Sequence, residues 1–154
     1  MHPDFLDMFR ALLAHEVRFI IVGGYAVAHA GFVRSTKDID IWIDPSPDNA
    51  QRLVLALREF GAPLASHGVT AQTFTQQGQG YQLGIEPVRI DLLTFCTGLV
   101  FEEAFEQAER VDYADVQGVP MLHLQDLRKT KLTLARPQDL ADVARLDALH
   151  STSS

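Results

Sequence analysis

Asp38 and Asp40 are separated by one residue in a run, Asp38 to Asp44, that alternates Ile39, Ile41 and Ile43 with Asp38, Asp40, Trp42 and Asp44. Such alternation predicts a half-buried strand, and it puts both carboxylates on one face, roughly 6–7 Å apart along the backbone. Two aspartates packed together repel, and one takes up a proton unless a cation sits between them. Mg²⁺ suits such a pair, because it takes oxygen ligands from a few carboxylates and completes its shell with substrate phosphate oxygens; Mn²⁺ is the natural substitute. A third carboxylate, Asp91, lies in a later apolar run between Ile90 and Leu92. On a neighbouring strand Asp91 would complete a second metal position and act on an attacking hydroxyl, the two-ion clamp of phosphoryl and nucleotidyl transfer.

The elements that must position these acids are legible from periodicity. Phe5, Leu6, Phe9, Leu12 and Leu13 predict a first helix over residues 3–15, and residues 18–22 form a β-branched run ending at Gly23-Gly24. Residues 25–30 are again helical, so the glycine pair joins a strand to a helix and leaves backbone N–H groups open to an anion. After Pro45-Ser46-Pro47, Leu53, Leu57 and Phe60 mark a helix over residues 48–60, stopped by Gly61. Residues 62–80 are rich in Gln, Thr, Gly and Ser and predict irregular structure around a short strand at residues 71–75. Two strands are expected at residues 81–85 and 88–95, a helix with an acidic face at residues 102–109, and a hairpin of residues 111–116 and 119–122 turning at Gln117-Gly118. Two helices close the chain, over residues 123–134 and from Pro137, the second presenting Leu140, Val143, Ala144 and Leu149 to a core. The expectation is an α/β (α+β) fold, a mixed β-sheet with helices packed against it and a C-terminal helix pair, as one domain over residues 1–150 with a disordered tail at residues 151–154.

Val22-Gly23-Gly24, then thirteen residues, then Asp38-Ile39-Asp40-Ile41, then the apolar-flanked Asp91 resembles the nucleotidyltransferase superfamily related to DNA polymerase beta. More closely, Gly23-Gly24-Tyr25-Ala26-Val27 through Gly31, Arg34, Thr36 and Asp38-Ile39-Asp40 is similar to the small bacterial minimal and abortive-infection nucleotidyltransferases. In the tail, Asp126-Leu127, Lys131 and Arg136-Pro137-Gln138-Asp139-Leu140-Ala141-Asp142 look like the lysine-then-arginine pattern of these proteins' C-terminal helices, so the likeness runs over residues 19–146. The resemblance implies a nucleotidyltransferase fold, an NTP, ATP foremost, at Gly23 and Gly24, and Mg²⁺, as two ions, on Asp38, Asp40 and Asp91. It also implies that Lys131 and Arg136 belong to the nucleotide site, with Lys131 reaching triphosphate oxygens, and that Asp91 helps to deprotonate the acceptor hydroxyl. Gly24 stands where many members have serine, Ala135 where relatives often have glycine, and Gln138 where they often have lysine; the last lowers the positive charge near the phosphates.

Blander roles compete at each position. Lys131 can be a solvated helix lysine, and Arg136 can tie the last two helices together through Asp139 and Asp142. Arg34 and Thr36 can serve the turn before the metal strand. Trp42 can stack on a base or fill a core, and His29 reads as a packed or capping histidine. The net charge of -7 argues against a broad grip on nucleic acid, although Arg128, Lys129, Lys131 and Arg136 make a local basic cluster. The lone Cys96 excludes an internal disulfide framework and reads as a small core residue in a reducing compartment. The first residues lack a signal-peptide layout and the longest apolar region is too short to cross a bilayer, so a cytoplasmic protein with no membrane partner is expected. The resemblance implies NMP transfer to an unknown acceptor hydroxyl on protein, tRNA or a small molecule, as part of a toxin-antitoxin system, and it leaves two rivals: an antitoxin-like protein that neutralises a partner toxin by contact, and a toxin-type enzyme that modifies tRNA ends, against which the acidic balance counts.

Overall fold

The structure is a computed structural model and describes residues 1–31, 38–76, 78–85 and 88–150. The predicted mixed sheet with packed helices is present: six strands in the order β3-β4-β2-β1-β6-β5, flanked by six α-helices among the described residues. The strands are β1 (Phe19–Val22), β2 (Asp38–Ile43), β3 (Gly80–Ile85), β4 (Val88–Leu93), β5 (Glu109–Tyr113) and β6 (Val116–Met121). The helices are α1 (Pro3–Ala14), α2 (Gly23–His29), α3 (Pro47–Phe60), α4 (Phe101–Gln107), α5 (Leu124–Leu134) and α6 (Pro137–His150). β2 runs antiparallel to β1 and parallel to β4, β1 runs parallel to β6, and two antiparallel hairpins, β3-β4 and β5-β6, close the edges. No helix is long and apolar enough to cross a membrane among the described residues.

The apolar pattern sets these layers. Every residue of β1 is buried, as a strand covered on both faces requires, and Ile39, Ile41 and Ile43 of β2 are fully buried. On the opposite face of β2 the strand is half-buried only where Asp38 and Asp40 lie; further along, Trp42 and Asp44 are buried beneath Phe101 and beside Arg18. Trp42 is therefore a core residue, packed edge-on against Phe101, and its face is closed to a stacking base. Asn49 near the start of α3 fastens this end: its side-chain oxygen accepts from Arg18 N–H, and its amide donates to the carbonyls of Arg18 and Asp44. α1 packs on α3 and β6, α2 on β1 and β2, and α5 on α6.

Four sequence expectations are corrected. Residues 71–75 form a 3₁₀ helix, begun by reciprocal hydrogen bonding between Thr70 and Thr73, where a strand was expected. The acidic helix ends at Gln107, and Glu109 opens β5. The β5-β6 hairpin turns at Ala114-Asp115, with Ala114 in the left-handed region at φ 53°, while Gly118 sits inside β6 with its N–H held by Asp112. On α6 the inward residues are Asp139, Asp142, Val143 and Leu146, whereas Leu140, Ala144 and Leu149 are exposed. Periodicity of apolar residues misjudges this face because two of its inward positions are acids satisfied by cations. Arg34 and Thr36 lie outside the described residues.

Ala135 ends α5 at φ 53°, a left-handed conformation in which its Cβ crowds the following carbonyl. Glycine removes that crowding, so Ala135→Gly is expected to raise stability by about 0.5–1 kcal/mol. Urea denaturation followed by circular dichroism measures this; an unchanged or lowered midpoint would show that the turn carries no such strain.

Candidate functional site

The sheet register does the assembly that spacing alone could not. Parallel pairing of β2 with β4 places Asp38 opposite Arg89 and Asp40 opposite Asp91. Antiparallel pairing of β1 with β2 places Val22 opposite Asp40, so the glycine turn that follows Val22 arrives beside the same carboxylate. Gly23 sits at φ +68°, and a Cβ there would lie 2.1 Å from Asp40 Oδ2. Only glycine meets both demands, the left-handed backbone and the close approach of a carboxylate.

Asp40 and Asp91 are within hydrogen-bonding reach of each other. Burial first, then the charge of Asp91 and the hydrogen bond with it, and then the charge of Asp38 push the Asp40 carboxyl up to about 6, with Arg89 acting in the opposite direction. Asp38 is held differently: its Oδ2 accepts from Arg89 Nη2 at 2.6 Å, and Arg89 Nε lies 3.4 Å from Asp91 Oδ2. The guanidinium therefore leans across two of the three acids. Asp38 Oδ1 and Asp91 Oδ1 are buried and have no hydrogen-bond partner.

No group of three or more His, Cys, Asp or Glu side chains is disposed to hold a metal ion among the described residues. Asp40 and Asp91 are brought together, and Asp38, on the same face, is turned to Arg89. The donor chemistry nevertheless suits a hard cation. Two orphaned carboxylate oxygens and a carboxyl held above its ordinary range are what a divalent ion would satisfy.

The C-terminal helices bring the cations. A cavity of about 440 Å³ is lined by Gly23, Asp40, Lys131, Arg136 and Asp139 together with largely apolar residues, and a second of about 450 Å³ by Gly23, Gly24, Lys131, Arg136, Asp139 and Asp142. A larger surface hollow of about 580 Å³ between α1 and α3 lies away from these acids and is lined by Asp4, Asp7, Arg10 and Glu59. Lys131 is nearly buried, with Nζ 2.8 Å from Asp142 Oδ2 and 3.7 Å from Asp139 Oδ1. Arg136 Nε donates to Asp139 Oδ2 at 2.6 Å, and this bond holds the Asp139 carboxyl below its ordinary range. Both cations thus face the glycine turn already paired, and the structural role weighed for Arg136 is present alongside its place in the cavity. The acids Asp139 and Asp142 were not singled out as site residues. Their signal was available in a helix face that pairs acids three apart with a lysine on the preceding helix. Cys96 lies in the same cavity wall, its thiol against Thr130 Oγ1 at 3.8 Å and pushed up by burial, so it is a packing residue.

The raised Asp40 carboxyl has a signed consequence for stability when chelator keeps metal away. A folded-state value near 6 against an ordinary 3.8 means that the folded protein binds the extra proton. The associated stabilisation is complete below about 3.8 and is lost as pH rises through about 6. Asp40→Asn mimics the protonated form, so in chelator at pH 7.5 it should be more stable than the parent by on the order of 1–3 kcal/mol, allowing for partial solvent exposure. The advantage should vanish near pH 4; thermal melts across this range test it, and a pH-independent difference would refute it. Comparison with protein-family models and with curated proteins gives no match for this chain.

Proposed function

We propose that the chain is a cytoplasmic, Mg²⁺-dependent nucleotidyltransferase that moves a nucleoside monophosphate from an NTP, ATP foremost, to an acceptor hydroxyl and releases pyrophosphate. The observation that carries this reading is the meeting of Asp40 with Asp91 at one register position, with the Gly23 turn against Asp40 and a shared cavity leading to Lys131 and Arg136. The triphosphate lies along that cavity, its oxygens toward the open N–H groups of Gly23 and Gly24 and toward Lys131 and Arg136. Asp40 and Asp91, with Asp38 when released from Arg89, would hold the divalent ions. The chemistry supplied by the bound metal is neutralisation of charge on the reacting phosphate and polarisation of the acceptor oxygen. Asp91 takes the hydroxyl proton as the acceptor oxygen bonds to the α-phosphorus; the bond from that phosphorus to the bridging oxygen breaks, and pyrophosphate leaves on the side of Lys131.

A second reading draws support from a specific feature. Arg89, Lys131 and Arg136 are each already paired within the protein: Arg89 with Asp38 and Asp91, Lys131 with Asp142, and Arg136 with Asp139. Such internal compensation suits an antitoxin-like protein that works by contact with a partner toxin and turns over slowly.

Incubation with each radiolabelled NTP, Mg²⁺ and cell lysate decides between them. Transfer of label is expected, and Asp91→Asn should lower its rate by about 10²–10⁴-fold, the span for loss of a general base. Asp38→Ala and Asp40→Ala should abolish it with the fold intact by circular dichroism. Full labelling by both alanine variants refutes the enzymatic reading. An Asp38→Ala, Asp40→Ala double variant that still neutralises a toxic partner establishes the contact reading.

A further inference from the structure

The Asp40 carboxylate has a second cavity on its other side. It measures about 500 Å³ and is lined by Asp40, Asp91, Leu93 and the edge strand residues Gly80 and Gln82. Asp40 and Leu93 are the residues it shares with the cavity that contains Lys131 and Arg136. The two hollows therefore meet at the acid that both strands and the glycine turn converge on.

The edge strand is shaped to keep this second hollow open. β3 alternates buried Tyr81 and Leu83 with exposed Gly80, Gln82 and Gly84. The face beside the carboxylates thus carries glycine, glutamine and glycine, paired in register with Leu93, Asp91 and Arg89. Gly84 is fixed by its backbone, since it sits at φ +78° and a Cβ would lie 2.4 Å from the Val88 carbonyl oxygen. Gly80 has no such reason. A Cβ there would meet Leu93 Cδ2 at 3.6 Å and the Leu92 carbonyl oxygen at 3.7 Å, which is ordinary contact, so the bare position leaves room beside Asp91 that the fold does not demand.

The two hollows also differ in charge. Each lining has two carboxylates, Asp40 and Asp139 in the first and Asp40 and Asp91 in the second, but only the first has cations, Lys131 and Arg136. The nearest cation, Arg89, is turned to Asp38 and Asp91. Beyond the divalent ions that the proposed reaction places on Asp40 and Asp91, the second lining offers no lysine or arginine to the flanking phosphates of a polyanion.

We infer that the exposed face of β3 at Gly80 and Gln82 is the acceptor-binding wall of the site, and that it takes a hydroxyl compound whose surroundings are uncharged or cationic rather than a nucleic acid. Gly80 provides the space and the Gln82 amide, opposite Asp91, supplies both a donor and an acceptor to fix the incoming group. This inference rests on the nucleotidyl-transfer reading, because it assigns the acceptor side of that same reaction.

The test separates the two hollows. Wild type, Gly80→Leu and Gln82→Ala are compared for binding of a fluorescent ATP analogue and for transfer of label from α-labelled ATP to lysate, with and without ribonuclease treatment. Gly80→Leu should bind the analogue as wild type does yet transfer label about tenfold or more slowly, since a side chain in the hollow displaces the acceptor from reacting distance. Gln82→Ala, an exposed substitution that keeps the fold, should require more lysate for half-maximal labelling at unchanged analogue binding. The labelled product should survive ribonuclease. Wild-type transfer rates in both variants, or a ribonuclease-sensitive product, overturn the acceptor wall while leaving nucleotidyl transfer standing. Absence of both analogue binding and labelling in wild type overturns the two together.

Discussion

Two carboxylates on one rung of a parallel ladder, partly shielded from water, cannot both stay ionised at little cost. Asp40 and Asp91 stand in that relation, and much of the surrounding structure answers it. Arg89 leans across Asp38 and Asp91, and Asp40 shifts toward its protonated form. Gly23 gives up its side chain so that the backbone can close against Asp40. A chain that needed only stability could place an apolar pair at this position, as β2 does with Ile39 and Ile41 on its other face. Two acids here are a local conflict that the rest of the fold is arranged to tolerate, and such conflicts gather where a ligand resolves them.

The C-terminal helix pair shows the same economy with opposite sign. Lys131 is nearly buried, which is expensive for an ammonium unless carboxylates surround it. Asp139 and Asp142 on α6 provide them, and Asp139 also takes the Arg136 fork. Because these acids face inward, α6 is rotated so that Leu140 and Leu149 point outward. The positions of the two cations are thus determined by the packing of α5 on α6, and their charge reaches the glycine turn already oriented. Under the proposed reading this preorganisation lowers the ordering cost of binding a triphosphate, while the paired acids weaken the net attraction.

Much of the fold was legible because local rules and burial agreed. The strand at Asp38–Ile43, the Gly61 stop and the strand-to-helix passage at Gly23-Gly24 each follow from periodicity or punctuation and are present, although α2 begins at Gly23 itself, without a separate turn, and the alternation of β2 gives way at Trp42. What escaped were features that depend on partners distant in sequence. Thr70 and Thr73 convert a β-compatible segment to a 3₁₀ helix, and Ala114 takes a left-handed position that composition assigns to Gly118. Within the site, the types and spacing of Asp38, Asp40 and Asp91 could propose a cluster, but not that Arg89 would separate Asp38 from the other two. Arg89 was invisible as a site residue because its meaning comes from register, two residues from Asp91 along β4 and across from Asp38 on β2.

Register also explains why the site has two sides. β2 lies between β1 and β4, so Asp40 is flanked on one side by the glycine turn that continues β1 and on the other by Asp91, with β3 beyond it. Groups brought by β1, α5 and α6 can reach only the first side, and groups brought by β3 only the second. The sheet order therefore divides, at a single carboxylate, a hollow whose acids are matched by cations from one whose lining has acids and no lysine or arginine. An in-line displacement at phosphorus needs that division, because the attacking oxygen must approach from the side opposite the departing pyrophosphate.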